Sequence, residues 1–246
     1  MKGVILAGGS GTRLRPLTKV TNKHLLPVYS KPMIYYPIQT LLNAGVKKIL
    51  IVTGNESAGD FMKLLGSGKE LGAEFTYKLQ DGSFGIAHAL SLAEDFVGKE
   101  KFIVVLGDNV IEDNISEAAK DFESNNYDGL IFLKSVHDPE RFGVVELSSD
   151  KITGIEEKPK QPKTNFAVTG VYMYSPSIFD IIRKLKPSAR GELEITDVNN
   201  ALIERNKLTH KMLSGFWSDA GTFPSLFRAS EFAKENEEPS SNSKEH

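Results

Sequence analysis

The sequence predicts an α/β fold: a doubly wound, mostly parallel sheet flanked by helices, continuing into a mixed sheet in its second half. Three observations predict it. Apolar runs alternate with helical repeats as far as Leu106, the first apolar run passes straight into a glycine-rich turn, and after about residue 128 strands follow one another with few helices between. Strands alternating with helices lie parallel and side by side, and ligands are expected beyond their carboxyl ends.

Taken in order, Lys2–Ala7 reads as a buried parallel strand. Met33–Ala44 reads as a helix with Ile34, Ile38, Leu41 and Leu42 on one face and Gly45 closing it. Lys48–Thr53 and Phe75–Leu79 are the second and third strands. Gly85 then opens a helix whose apolar positions Ile86, Leu90, Ala93 and Val97 recur at helical spacing, and Phe102–Leu106 is a strand ending in Gly107-Asp108-Asn109. In the second half Leu130–Val136, Gly143–Leu147, Ile152–Glu156 and Ala167–Tyr174 read as strands of a mixed sheet. A helix is expected at Pro176–Leu185 with Ser175 as its cap, and another at Asp197–Arg205 capped by Thr196. Strands around Leu208–Leu213 and Phe216–Ser218 and a helix from Phe223 to Lys234 complete a single domain over residues 1–234. The Glu, Asn, Ser, Pro and Lys of residues 235–246 predict a disordered tail.

Composition narrows the function classes. At 246 residues, 40% hydrophobic, the chain is long enough for one large core. Thirty basic against 32 acidic residues leave a net charge of −2, so no nucleic-acid partner is expected and a polyanion must be held by local cations. With no cysteine there is no disulfide, thiolate metal site or cysteine nucleophile. Val4–Ala7 is too short for a signal segment and no 18-residue apolar run follows, so a cytoplasmic protein without membrane association is expected.

The chemistry begins in Met1–Arg15. A glycine-rich turn after a strand presents backbone N–H groups to an anion. No Gly-Lys-Ser/Thr follows, and the third glycine of a dinucleotide fingerprint is missing, so this is neither of those phosphate loops. Gly8, Gly9 and Gly11 allow close approach to a triphosphate, and Arg13 can stabilise charge at a phosphate under attack. Lys23, beyond the Pro16 loop, supplies a second cation for the same polyphosphate. Asp108 ends a buried strand, where a carboxylate can hold Mg²⁺ against a nucleotide or simply cap a turn. Asp219 in Trp217-Ser218-Asp219-Ala220-Gly221 is a second carboxylate that could complete such a site. Glu156-Glu157-Lys158-Pro159 combines acceptors for sugar hydroxyls with a cation for phosphate, while the Arg190–Glu194 loop can fold over a substrate or merely connect. His24, His88, His137 and His210 show no ligand or nucleophile spacing.

Together these segments resemble the sugar-1-phosphate nucleotidyltransferases, and within them the branch that makes dTDP-glucose. The resemblance rests on Gly8–Leu14, Lys23–Pro27, Lys31–Pro37, Leu106–Asn109, Asp138–Val145, Glu156–Pro159 and Pro187–Asp197, and covers about residues 1–230 in colinear order. It implies a Rossmann-like fold, with residues 1–128 mainly nucleotide-binding and 129–234 mainly sugar-phosphate-binding. It also implies in-line attack of glucose 1-phosphate on the α-phosphorus of dTTP, releasing pyrophosphate, without a covalent enzyme intermediate. By motif position Arg13 and Lys23 would hold the triphosphate, Gly8 and Gly11 would approach phosphate and ribose, and Asp108 and Asp219 would hold Mg²⁺. Gln80 and Gly85 would read the base edge; Gly143, Glu157 and Val168 would contact the sugar, Lys158 its phosphate, and Arg190 would lie near the same site.

The departures leave alternatives. Asn22-Lys23-His24 replaces the family's Ser-Lys-Gln, and the Gln80–Gly85 loop lacks prolines usual in the thymidylyl enzymes, so UTP or another sugar phosphate remains open. Longer relatives carry further helices that form an allosteric nucleotide site and a subunit interface, so a short form without separate feedback by dTDP-rhamnose, and a smaller homo-oligomer, is expected. A non-catalytic nucleotide-sugar sensor would have lost Arg13, Lys23 or Asp108, and a nicotinamide oxidoreductase would carry an acid after the second strand, where Thr53-Gly54 stands.

Overall fold

A computed structural model describes residues 1–237. The first half runs β1 (Lys2–Ala7), the hairpin β2 (Pro27–Val28) and β3 (Lys31–Pro32), α1 (Tyr35–Asn43), β4 (Lys48–Gly54), α2 (Ala58–Leu65), β5 (Glu74–Gln80), α3 (Ile86–Ser91), α4 (Glu94–Val97) and β6 (Phe102–Leu106). The second runs β7 (Val110–Ile111), α5 (Ser116–Ser124), β8 (Gly129–Ser135), β9 (Gly143–Ser148), β10 (Lys151–Glu157), β11 (Phe166–Tyr174), α6 (Ile178–Ile182), α7 (Ile195–Glu204), β12 (Leu208–Met212), β13 (Trp217–Ser218) and α8 (Phe223–Asn236).

Among the described residues these strands build a nine-stranded sheet in which β5, β4, β1 and β6 are parallel neighbours. The order matches the winding expected from the strand-helix alternation. β11 then runs antiparallel to β6, β8 and β9, which turns the parallel half into a mixed second half. The inner strands β1, β4 and β6 are apolar because both faces are covered, while β5 at the edge is half-exposed. Val4 and Leu6 of β1 pack with Leu50, Val52 and Val104 on one side, while Ile5 packs with Ile49, Ile51 and Val105 on the other.

The predicted strands are all present. Four helical expectations change. The helix opened by Gly85 breaks into α3 and α4, because Ser91 Oγ donates to the His88 carbonyl at 2.7 Å and the Ala93 N–H turns back to Leu90 O at 2.9 Å, tightening the chain between them. The helix expected at 176–185 shrinks to α6: Ser175 Oγ donates to Asp128 at 2.7 Å and does not cap it. α7 starts at Ile195, so Thr196 lies inside it, and its hydroxyl donates to Glu157 at 2.6 Å. α8 continues to Asn236, two residues into the expected tail; residues 238–246 of that tail lie outside the described residues. Two helices, α2 and α5, were not anticipated from the sequence.

Candidate functional site

The carboxyl ends of β1, β5 and β6 open into one cavity of about 370 Å³. After Ala7 the chain turns through Gly9 (φ 96°) and Gly11 (φ 57°) into a single turn at Thr12–Leu14. Gly11 has to be glycine twice over: its φ is left-handed, and a Cβ there would lie 2.9 Å from Thr18 Cγ2. Thr18 Oγ1 donates to the Gly11 carbonyl at 2.7 Å, and buried Leu14 anchors the turn, which leaves Arg13 on the cavity wall.

Lys23 starts a second short turn, capped by Asn22, whose Oδ1 accepts the His24 N–H at 2.9 Å. Its ammonium donates to Asp108 Oδ2. Burial acts to raise the Asp108 pKa, but the Lys23 charge and hydrogen bond, with the Asn109 amide at 3.0 Å, hold it below the usual carboxylate range. Asn109 reaches further. Its Oδ1 accepts from Gly170 N at 2.9 Å and from Trp217 Nε1 at 2.7 Å, so one buried amide ties the metal-candidate carboxylate to β11 and β13. The register of β11 against β8 shifts between Val168 and Tyr172, and this irregularity presents the Gly170 N–H to Asn109.

His24 is 1% exposed, and its ring lies so close to Gly107 that a Cβ there would be 2.7 Å from Cδ2. Burial first, and the Lys23 charge second, lower its pKa to about 3, so it is neutral at pH 7 and Lys23 is the cation that keeps Asp108 ionised. The unfolded chain takes up a proton near pH 6.5 that the native ring refuses until about pH 3, so this contribution to stability is complete above 6.5 and is lost as the pH falls toward 3. Urea midpoints of the metal-free protein between pH 7.5 and 5 are expected to fall more steeply for wild type than for His24→Gln. Equal slopes would show that His24 is not the titrating group.

The opposite wall comes from the second half. Arg141 donates to Asp138 at 2.6 Å and to Asp219 Oδ2 at 2.7 Å, and the neighbouring Phe142 ring meets Trp217 edge-on with centroids 5.1 Å apart. Glu157 accepts from Thr196, and Arg190 donates to Glu194 at 2.8 Å and reaches Glu157 at 3.4 Å. The Arg190 loop is sewn to the Gln80–Gly85 loop: Leu193 N donates to Phe84 O at 2.8 Å, and Ala87 N donates to Leu193 O at 3.1 Å. A Cβ on Gly85, itself at φ 95°, would sit 2.5 Å from the Leu193 carbonyl oxygen. Gly85→Ala is therefore expected to cost about 1–3 kcal/mol of stability, read from a urea midpoint. An unchanged midpoint would mean that the seam gives way freely.

The cavity brings together Gly8, Arg13, Lys23, Gln80, Gly85, Asp108, Gly143, Glu157, Lys158, Val168, Arg190 and Asp219. Gly11 does not line it; it shapes the loop beneath Arg13. Asp108 and Asp219 both line the cavity, where they flank the β7–β13 ribbon in which Ser218 pairs with Val110, and not an edge of the main sheet. A Cβ on Gly221 would lie 3.0 Å from Arg13 Nη2 and 3.5 Å from Asp108 Oδ2, so Gly221 leaves open the space where the arginine and the carboxylate converge. Among the described residues no cluster of three or more His, Cys, Asp or Glu side chains could hold a metal alone. Two carboxylates on one polar cavity still fit Mg²⁺, which takes its remaining ligands from water and phosphate. Sequence reasoning gave no role in the site to Arg141 or Asn109, and took Thr196 only for a helix cap. The Asp138–Val145 segment carried the only signal for Arg141.

The nucleotidyl transferase family matches residues 2–236. Glucose-1-phosphate thymidylyltransferase of Neisseria meningitidis is 44% identical over 238 residues, 95% of this chain and 83% of that protein. A Bacillus anthracis protein crystallised with a sucrose as a candidate glucose-1-phosphate thymidylyltransferase superposes with a TM-score of 0.93 at 51% identity, covering 97% of each chain. A UDP-glucose pyrophosphorylase bound to UDP-glucose superposes with a TM-score of 0.84 at 26% identity, covering 96% of this chain and 99% of the other. A family match over nearly the whole chain, on a fold shared along its length, places this protein in the nucleotidyl transferase family.

Proposed function

We propose that this protein transfers a thymidylyl group from dTTP to glucose 1-phosphate, giving dTDP-glucose and pyrophosphate. The observation that carries the reading is the convergence, on one cavity, of Arg13, Lys23, Asp108 and Asp219 with the Glu157, Lys158 and Arg190 of the opposite wall. The 44% identity to a glucose-1-phosphate thymidylyltransferase supports this choice of nucleotide and sugar.

In this reading the glycine loop at Gly8 and Gly9 cradles the triphosphate, and Arg13 and Lys23 neutralise it. Glu157 accepts hydrogen bonds from sugar hydroxyls, with Gly143 and Val168 shaping the pocket against the ring, while Lys158 and Arg190 hold the sugar phosphate. A phosphate oxygen of glucose 1-phosphate forms a bond to the α-phosphorus as the bond to the bridging oxygen of pyrophosphate breaks, and the electron pair leaves with pyrophosphate. The chain's contribution is alignment and charge neutralisation, and no side chain becomes acylated or phosphorylated. Asp108 and Asp219 would hold Mg²⁺, which when bound supplies positive charge to the phosphate oxygens. Residues 1–128 then serve mainly the nucleotide and 129–234 mainly the sugar phosphate, within a single domain.

UTP is the second reading. The UDP-glucose pyrophosphorylase superposition and the proline-free Gln80–Gly85 loop support it. Pyrophosphate release from dTTP, UTP, CTP and ATP, each with and without glucose 1-phosphate, tests both. The expected result is release only with the sugar phosphate and fastest with dTTP; no release with any pair would end the transferase reading.

A further inference from the structure

Gln80 ends β5 and is 6% exposed, yet it lines the cavity. Its two amide atoms have different neighbours. Nε2 lies 3.0 Å from His88 Nδ1 on the first turn and a half of α3, and Oε1 lies over Gly8, 2.9 Å from where a Cβ on that glycine would be. An amide nitrogen can only donate, so His88 Nδ1 accepts and its ring proton is on Nε2. The His88 ring is held by the edge-on Phe84 ring, with centroids 5.1 Å apart. Among the described residues, Gln80 Oε1 receives no side-chain or backbone hydrogen bond, so it is left as an acceptor on the cavity wall beside the glycine loop.

We propose that His88 is a specificity-determining positioning residue: by accepting from Gln80 Nε2 it locks the Gln80 amide with its oxygen toward the base, so that the site demands a base whose edge donates an N–H. This rests on the reading that Gln80 meets the base of a nucleoside triphosphate. Thymine and uracil carry N3–H and satisfy the oxygen. Cytosine presents a bare N3, which leaves two acceptors facing each other and unpaired. Such a mismatch in a desolvated site is a strong basis for rejection. A glutamine free to rotate would accept either base, because its amide offers a donor on one side and an acceptor on the other.

The test sets opposite hydrogen-bonding characters at position 88. dUTP and dCTP carry the same sugar and triphosphate and differ only at the N3/C4 edge, so an altered local charge cancels in their kcat/KM ratio. His88→Asp can only accept, and is expected to keep the wild-type preference for dUTP. His88→Lys can only donate, turns the Gln80 amide around, and is expected to lower the dUTP:dCTP ratio by about 10–100-fold. The ratio of dTTP to dUTP, which reports the 5-methyl group, stays put. A merely structural role for His88 would depress all three nucleotides alike. Equal dUTP:dCTP ratios in wild type, the Asp variant and the Lys variant would overturn the proposal. If a variant does not fold, ¹⁵N shifts of the wild-type His88 ring decide: a proton on Nδ1 at neutral pH overturns it. Failure of the underlying reading is distinct, because Gln80→Ala would then leave the dUTP:dCTP ratio of the active enzyme unchanged.

Discussion

Arg13→Ala is expected to lower turnover by about 10²–10³-fold, the scale of losing one preorganised charge stabiliser from an active site. The size follows from where the guanidinium sits. Arg13 lines the cavity on a turn fixed by Gly11 and Leu14, and its Nη2 approaches the open space beside Gly221 and Asp108. The turn is held by backbone and Thr18 contacts, so the substitution leaves the loop folded. Single-turnover rates measured across a range of dTTP concentrations, with saturating glucose 1-phosphate, separate the two roles. A loss confined to KM would make Arg13 a binding contact, and an unchanged rate would remove it from the chemistry.

Asp108→Asn is expected to be comparably severe, by about 10²-fold or more, with a raised Mg²⁺ concentration for half-maximal rate. Asp108 is 9% exposed as a residue, ion-paired to Lys23, and kept ionised by that cation. Asparagine keeps the shape and the contact to Asn109 but loses the charge, so Lys23 is left buried without its counter-ion. A magnesium titration of wild type and variant is the measurement. The same half-saturation in both would move the metal away from Asp108.

Much of this architecture was legible in the sequence because the inner parallel strands are covered on both faces. Residues such as Val4–Ala7 and Ile49–Val52 are apolar without interruption, and few other structures explain such short buried runs. The glycine loop after β1 was legible for a different reason: glycines at positive φ next to a fixed cation are costly to keep without a use. α2 and α5 were not, because each buries only two or three side chains, Ala58, Phe61 and Leu65 in one and Ala119 and Phe122 in the other. Their helical stripe is too thin to stand out from a polar connection. Thr196 and Ser175 misled for a shared reason, since both looked like free caps while their hydroxyls were committed to carboxylates on distant elements, Glu157 and Asp128. Arg141 was silent because a lone arginine in a charged turn has no spacing signature; only the fold brings it against Asp219.

The ribbon formed by Val110–Ile111 and Trp217–Ser218 holds together the backbones that lead into Asp108 and Asp219. Asn109 and the indole of Trp217 clasp the same joint. The spacing of the two backbones is thus set by two short strands and one amide. A shift of one backbone against the other would therefore have to break the ribbon pairing or free the Trp217 indole from Asn109.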